Sequence, residues 1–276
     1  MRLDHRALED VAALLREAAE REVMPRFRRL GPAGVRSKGS ALDLVTDADE
    51  AAERAISAGL LERFPGAVVV GEEAASADPT LLGRLADAPL AFVVDPLDGT
   101  ANFAAGLPLF GVICAALRAG EVVAGWLLDP VSGDMAMALR GEGAVSVSAE
   151  GERRDLRVAP AAGLESMLGA VAWGFMTPER RARVLPRLAR LAGVQNLRCA
   201  AHEWRLAAAG HLHLLVYNRL LPWDHAAGWL LHREAGGYSA RFDASPYTPL
   251  ETGGGIVAVP RAEDWAAVME GLGIAG

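Results

Sequence analysis

The chain has 276 residues, of which 51% are hydrophobic and 23% charged, a globular balance that allows one large domain or two modest ones. The formal net charge of −7 disfavours a nucleic-acid surface, and two cysteines without a CxxC spacing disfavour a disulfide framework or a structural zinc site. No apolar run is as long as a membrane span and no export signal is evident, so we expect a soluble, cytoplasmic protein with no membrane partner.

Hydrophobic periodicity predicts the first elements. Residues 5–29 carry an apolar stripe at helical spacing and predict one amphipathic helix, followed by a Gly/Ser-rich loop or an irregular hairpin. A second helix is predicted to begin near Thr46, a good N-cap, and to end at Phe64 before a Pro-Gly pair. The short β-branched runs 67–73 and 90–96 are typical of strands that are buried on both faces.

The rest of the chain alternates strand-like and helix-like runs. A hairpin is predicted within 110–130, with its turn near Ala119-Gly120. The composition shifts around 148–163, which predicts an N-terminal α+β subdomain (1–150) and a C-terminal α/β subdomain (151–276). The later predicted elements are helices at 178–192, 202–209, 223–237 and 261–272, and strands in HLHLLVY and GGGIVAVP. Mixed elements in both halves indicate a layered α/β or α+β architecture.

Two of the predicted strands end in acidic residues. Glu72 and Glu73 end one run, and Asp95 and Asp98 end the other. If the strands are neighbours in one sheet, these carboxylates come together and raise one another's pKa by repulsion. A hard divalent cation relieves that repulsion, and magnesium takes oxygen ligands while keeping water and substrate phosphate in its shell. The pattern therefore predicts a magnesium site.

Gly99 and Thr100 follow Asp98 directly. If a helix begins there, their amide N–H groups can hold a phosphate oxygen, which would let an acidic protein bind an anion. Taken alone, Asp98-Gly99 is equally typical of a turn. The D-x-D-G-T motif of haloacid-dehalogenase-type phosphatases is a rival pattern. The D-x-x-D-G-T spacing here, with 94 residues before it, suits two metal ligands better than a nucleophile and its acid partner.

Three motifs in order resemble those of the inositol monophosphatase family of magnesium-dependent, lithium-sensitive phosphatases. Residues 95–103, DPLDGTANF, match the family's D-P-[ILV]-D-G-T-x-N-[FY], and residues 223–228, WDHAAG, match its W-D-x-A-[AG]-[AG]. The segment LVTDADEAAE matches the one that supplies a water-activating aspartate. The resemblance implies a layered α-β-α-β-α sandwich, usually a homodimer. It also implies hydrolysis of a small phosphomonoester, an inositol phosphate or a related polyol or sugar phosphate, by metal-activated water.

The resemblance further implies a set of metal ligands. Glu72, Asp95 and the backbone carbonyl of Leu97 would hold one magnesium ion, and Asp95, Asp98 and Asp224 a second. A third, weaker ion would lie near Glu72, which counts among the catalytic residues as well. Without the family, Asp224 near the start of a helix is more typical of a cap that is stabilised by the helix dipole.

The remaining implied roles concern the reaction itself. Asp49 would orient the hydroxyl of Thr100, and the pair would help to deprotonate the attacking water. The amides of Gly99 and Thr100 would receive the phosphate. Lys38 would lie near the site, in a loop that also holds Asp43.

The part of the sequence that would recognise the alcohol departs from the family pattern. Members that act on inositol phosphate carry a Gly-[ST]-Ala segment in the region where this chain has Arg198-Cys199-Ala200-Ala201, and an acidic residue where it has Tyr217. Arg219 and His225 are nearby in sequence. We therefore predict substrate contacts from Tyr217, Arg219 and His225 and no strong preference for myo-inositol 1-phosphate. A histidinol-phosphate, fructose-bisphosphate or nucleotide 3'-phosphatase of the same family is the alternative.

Two other interpretations stay open. His211 and His213 would share one face of a strand and could bind a metal, but without an evident third ligand ordinary strand histidines are favoured. A non-catalytic role with RNA polymerase, which some family members have, is the alternative to catalysis. The complete set of implied metal ligands favours catalysis.

Overall fold

The computed structural model describes residues 3–31, 35–40 and 43–274, without the side chains of 38–40 and 43. The helices are α1 His5–Ala18, α2 Asp47–Arg63, α3 Glu72–Ala77, α4 Thr100–Ala104, α5 Pro178–Val184, α6 Ala200–Ala208, α7 Pro222–Glu234 and α8 Ala262–Leu272. The strands are β1 Val35–Ser40, β2 Asp43–Thr46, β3 Val68–Gly71, β4 Ala91–Asp98, β5 Gly111–Arg118, β6 Glu121–Leu128, β7 Met135–Leu139, β8 Ala144–Val147, β9 Arg153–Asp155, β10 Leu168–Val171, β11 Gly193–Gln195, β12 Leu214–Tyr217, β13 Tyr238–Arg241 and β14 Ile256–Val259.

The strands form two large sheets and a separate ribbon. The first sheet has the order β3-β4-β5-β6-β7-β8-β9, in which β3 and β4 are parallel and the later neighbours antiparallel. The second has the order β11-β10-β12-β14-β13, in which β10 is parallel to both of its neighbours. The ribbon pairs β1 with β2. The predicted hairpin is confirmed as β5 and β6.

Helices cover both faces of the first sheet, because its central strands are apolar on both sides. Along β4, Phe92 and Val94 pack with α1 and α2, whereas Ala91 and Val93 pack in the same core as α6 and α7. These two helices also pack on the second sheet, whose other face is covered by α5 and α8. The order helices, sheet, helices, sheet, helices confirms the predicted α-β-α-β-α sandwich.

The helix predicted at 46–64 is confirmed, whereas two other predicted helices are shorter than expected. Thr46 caps α2 in a capping box with Asp49. The helix predicted over 5–29 leaves α geometry after Ala18 and continues as a π-helical turn and a 3₁₀ turn. The helix predicted over 178–192 likewise becomes a 3₁₀ helix after Val184. A proline lies in each 3₁₀ segment and lacks the N–H that an α-helix needs.

The two alternating histidines precede a strand instead of lying on it. β12 begins at Leu214, after His211 and His213. The Nδ1 atom of His213 accepts a hydrogen bond from the amide of Leu168 at 3.3 Å, so this ring helps to join β12 to β10. The favoured interpretation, an ordinary structural histidine, fits this contact.

The predicted division of the chain into two subdomains at residue 150 stays a prediction. Strand β9 still belongs to the first sheet, and α6 and α7 pack against both sheets.

A close contact between α6 and α7 gives a stability prediction. A Cβ added to Gly228 would overlap the Cγ of the buried Trp204 and lie 2.6 Å from its Cβ. We expect Gly228→Ala to lower the free energy of unfolding by about 1–3 kcal/mol, because overpacking outweighs the gain in helix propensity. Urea unfolding would measure it. Gly253→Ala is the control, since a Cβ there meets nothing within 4 Å, and an equal loss in both variants would contradict the packing argument.

Candidate active site

The end of β4 contains a bulge that shapes the site. Asp95 is paired with Ile113 and Asp98 with Gly111, so three steps along β4 correspond to two along β5. Residues three apart on a regular strand face opposite sides of the sheet, and an extra residue re-aims the side chains that follow it. The bulge explains why an apolar strand can end in two aspartates that serve one site.

Glu72 is positioned by a carboxylate that the sequence did not single out. Glu53 of α2 accepts hydrogen bonds from the amides of Glu73 at 2.7 Å and Ala74 at 2.9 Å, and so caps the start of α3. A Cβ at Gly71 would overlap the carboxyl group of Glu53, so glycine is required at the end of β3. Glu53 is mostly buried, which is unusual for an acid on a helix and marks this supporting role.

Three carboxylates meet where β3, β4 and α7 come together. One oxygen from each of Glu72, Asp95 and Asp224 lies within 4.8 Å of the others. Asp224 reaches the cluster from the first turn of α7. Burial, followed by repulsion from Glu72, Asp98 and Asp224, raises the pKa of Asp95 well above its usual range. Oxygen ligands that repel one another fit a hard divalent cation.

Asp98 lies next to this cluster and is held from the other side. Its Oδ2 atom accepts hydrogen bonds from the amide of Ala201 at 2.6 Å and the thiol of Cys199 at 3.2 Å. Burial raises the pKa of Asp98 to about 6, although these donors lower it. The start of α6 therefore fixes this carboxylate, and the sequence analysis did not predict that α6 contributes to the carboxylate site.

Asp49 and Thr100 are in contact, as the family resemblance implies. The Thr100 hydroxyl lies 3.0 Å from Oδ1 of Asp49 and 2.9 Å from the carbonyl of Leu97, and its single proton can serve only one of them at a time. Oδ2 of Asp49 accepts from the amide of Thr46 at 2.8 Å. Burial raises the pKa of Asp49 to about 6, despite the hydrogen bonds from Thr46 and Thr100. The pair is therefore placed to exchange a proton near neutral pH.

A pocket of about 320 Å³ contains most of the predicted site residues. Those that line it are Glu72, Asp95, Leu97, Asp98, Gly99, Thr100, Tyr217, Arg219, Asp224 and His225. Asp49 contacts the lining residue Thr100. The side chains of Lys38 and Asp43 lie outside the described residues.

Two predicted substrate contacts have their polar atoms occupied by the protein. The Tyr217 hydroxyl donates to Oε2 of Glu203 at 2.7 Å. In the buried ring of His225, Nδ1 accepts from Trp204 Nε1 at 3.3 Å and Nε2 lies 2.8 Å from the carbonyl of Arg219. Burial lowers the pKa of His225 to about 4, so the ring is neutral and has no free nitrogen. The ring of His225 therefore helps to position the backbone of Arg219, and the predicted contact of His225 with substrate stays a prediction.

Glu203 is a pocket residue that the sequence analysis missed. It lies on α6, and Oε1 accepts from the amide of Leu197 at 2.8 Å while Oε2 accepts from Tyr217. A carboxylate is therefore present beside Tyr217, although the position of the family's acidic residue is a tyrosine here. The sequence signal that could have identified Glu203 is an acidic residue on the buried face of the helix predicted at 202–209.

The charge of Glu203 gives a pH prediction. Burial raises its pKa from 4.5 to about 7, so between these values the folded protein binds a proton that the unfolded chain does not. Stability from this group therefore falls as pH rises towards and through 7. We expect the Tm of the wild type, relative to that of Glu203→Gln, to increase as pH is lowered from 8 to 5. Glu263→Gln, at an exposed position, is the control, and a pH-independent difference for Glu203→Gln would contradict the argument.

The chain belongs to the inositol monophosphatase family, whose sequence profile matches residues 4–270. The inositol-1-monophosphatase of Caulobacter vibrioides is 33% identical over 220 residues, which cover 78% of this chain and 82% of the relative. The protein named Nus factor SuhB of Pseudomonas aeruginosa is 33% identical over 227 residues, 79% of each chain. A solved IMPase structure from Thermotoga maritima has a TM-score of 0.80 at 26% identity, covering 98% of this chain and 100% of that one.

These similarities confirm the predicted family, the layered fold and the enzyme class, phosphoric monoester hydrolase. The acidic cluster agrees with a metal-dependent member of this family. Among the described residues, no helix has both the length and the apolar character that crossing a membrane requires.

Proposed function

We propose that the protein hydrolyses small phosphomonoesters, inositol phosphates or related polyol and sugar phosphates, with magnesium as its cofactor. The observation that carries the proposal is the cluster of Glu72, Asp95 and Asp224 in the same pocket as the hydroxyl of Thr100. Inhibition by lithium and a homodimeric assembly are part of the proposal, on the basis of the family alone.

The cluster fits magnesium by its chemistry. Three carboxylate oxygens converge, and their mutual repulsion, which raises the pKa of Asp95, would be offset by a divalent cation. Glu72, Asp95 and Asp224 would hold magnesium, with Asp98 and the carbonyl of Leu97 as further ligands for two ions, or three with a weaker one. When bound, magnesium lowers the pKa of water and neutralises charge on the phosphoryl oxygens.

The residues of the chain supply positioning and proton transfer. When the Thr100 hydroxyl donates to Asp49, its lone pairs can accept a hydrogen bond from the attacking water, which orients that water. The proton then passes towards the Oδ1 atom of Asp49, whose pKa of about 6 suits a base near neutral pH. Gly99 and Thr100 line the pocket, and their amides would hold the phosphate.

A non-catalytic regulatory role is the second candidate, because relatives named Nus factor SuhB match over most of the chain. Retention of the whole carboxylate cluster favours catalysis. A histidinol-phosphatase, fructose-bisphosphatase or nucleotide 3'-phosphatase activity would use the same carboxylate cluster and the same phosphate-binding amides.

The test is phosphate release by the purified protein. We expect magnesium-dependent release from several compounds among inositol 1-phosphate, fructose 1,6-bisphosphate, histidinol phosphate and adenosine 3'-phosphate, and no release in excess chelator. Undiminished release with chelator would contradict the metal assignment. No release from any of the four with magnesium would contradict the enzymatic proposal.

A further inference from the structure

Arg198 occupies a backbone conformation that favours glycine. Its φ angle is +54°, in the left-handed region that L-residues other than glycine enter at a cost. Contacts on both sides hold it there: its amide donates to the side chain of Asn196 at 3.1 Å, and the amide of Leu197 donates to Glu203 at 2.8 Å. The Nδ2 atom of Asn102 donates to the carbonyl of Leu197 at 2.7 Å. The segment is thus fixed from two helices.

The strain at Arg198 indicates a function for its side chain, since strained residues cluster at ligand sites. Arg198 is exposed and lines the pocket that contains the carboxylate cluster. Within the described part of the chain, no acidic side chain is paired with its guanidinium. Glycine would fit the backbone better, so the arginine side chain is the reason to expect a functional role at this position.

Arg219 brings a second guanidinium to the same pocket. Its guanidinium carbon lies 4.4 Å from the ring centroid of Phe175, a cation–π contact that orients the group. Its carbonyl lies 2.8 Å from Nε2 of His225, and Trp204 holds the other nitrogen of that ring. The backbone and the side chain of Arg219 are therefore both positioned by buried or aromatic groups.

Two arginine residues that line one pocket favour the binding of an anionic group there. The planar fork of arginine matches the geometry of carboxylates and phosphates. We propose that Arg198 and Arg219 bind a second anionic group of the substrate, so that the preferred substrates are phosphomonoesters that also carry a carboxylate or another phosphate. This inference rests on the proposed function of the same pocket.

The test compares matched substrates that differ mainly in this second charge. One pair is glycerol 3-phosphate and 3-phosphoglycerate, and the other is fructose 6-phosphate and fructose 1,6-bisphosphate, so that the arms separate carboxylate from phosphate. In the wild type we expect kcat/KM to be at least about tenfold higher for the more anionic member of one or both pairs. The ratio should fall about tenfold in Arg198→Gly and in Arg219→Gln, mainly through KM.

Arg198→Gly has a second expected effect, on stability. Removing left-handed strain should keep Tm unchanged or raise it by about 1–3 °C, because glycine adopts this backbone conformation without the steric cost that arginine meets. Ala244→Gly is the matched control: its φ is +66°, it lies outside the pocket lining, and it should shift Tm similarly while leaving the substrate ratio unchanged.

The outcomes separate the two proposals. No phosphate release with magnesium from the four compounds of these pairs, nor from inositol 1-phosphate, histidinol phosphate or adenosine 3'-phosphate, would contradict the proposed function. Release from one of the latter three but from none of the four compounds of the pairs would overturn the inference alone. Release with a ratio near one in the wild type, or a ratio that Arg198→Gly and Arg219→Gln leave unchanged, would overturn the inference alone. A fall in Tm for Arg198→Gly but not for Ala244→Gly would show that Arg198 acts in folding and would overturn its assignment to substrate.

Discussion

Asp95→Asn is expected to lower kcat by at least about 10³-fold, because a metal ion contributes several kcal/mol of transition-state stabilisation and each 1.36 kcal/mol is a factor of ten. Asp95 belongs to the cluster with Glu72 and Asp224, and its loss removes the buried member of that cluster. Phosphate release at saturating magnesium measures the effect. Asp155→Asn makes the same chemical change at an exposed position and should retain full activity.

The same variant separates loss of metal binding from loss of folding. Saturating magnesium, at ~100 times its Kd, should stabilise the wild type by about 2.7 kcal/mol, which corresponds to a Tm rise of about 5–10 °C. Asp95→Asn should lack most of that rise. Without magnesium it should be at least as stable as the wild type at pH 7, because repulsion among buried carboxylates is relieved. A variant that is inactive but keeps the full magnesium-induced rise would contradict the ligand role.

Thr100→Ala is expected to lower kcat by about 10²-fold or more, the usual contribution of a positioned proton acceptor. Asp49→Asn should do the same, since the two side chains are hydrogen bonded at 3.0 Å and act as one unit. The double variant should be little slower than either single one. Thr100→Ser keeps the hydroxyl and is the control, with a much smaller expected loss.

Asp49 also belongs to the capping box of α2, so Tm must be measured alongside kcat. Loss of the cap should cost about 1 kcal/mol, which does not reduce turnover at a temperature well below Tm. Multiplicative losses in the double variant would indicate that Thr100 and Asp49 act separately. Equal losses in Thr100→Ser and Thr100→Ala would indicate that the hydroxyl is not involved.

The carboxylate cluster, together with Asp49, could be predicted because local patterns place these residues. Asp95 and Glu72 follow apolar runs that pair as parallel strands, and two strands that end together bring their next residues together. Thr46 is a sequence-readable N-cap that fixes Asp49 in the first turn of α2. In each case the position of the side chain follows from an element that can be recognised along the chain.

The part of the pocket around Glu203, Tyr217 and His225 could not be predicted, because packing between elements that are distant in sequence defines it. Glu203 and Tyr217 are 14 residues apart and meet only where α6 packs on β12. His225 looks available beside Asp224 in sequence, but Trp204 of α6 and the carbonyl of Arg219 occupy its ring. No periodicity in the sequence indicates which polar side-chain atoms are already hydrogen-bonded within the protein.

The central layer of α6 and α7 also has a consequence for how the molecule unfolds. These helices bury apolar surface against both sheets, so neither sheet keeps a complete core without them. A helix layer shared in this way couples the two sheets into one cooperative unit, for which calorimetry should give a single transition with equal calorimetric and van't Hoff enthalpies. Because release of α7 would open the cores of both sheets, amide hydrogens in the middle of α7 should exchange only through near-global unfolding.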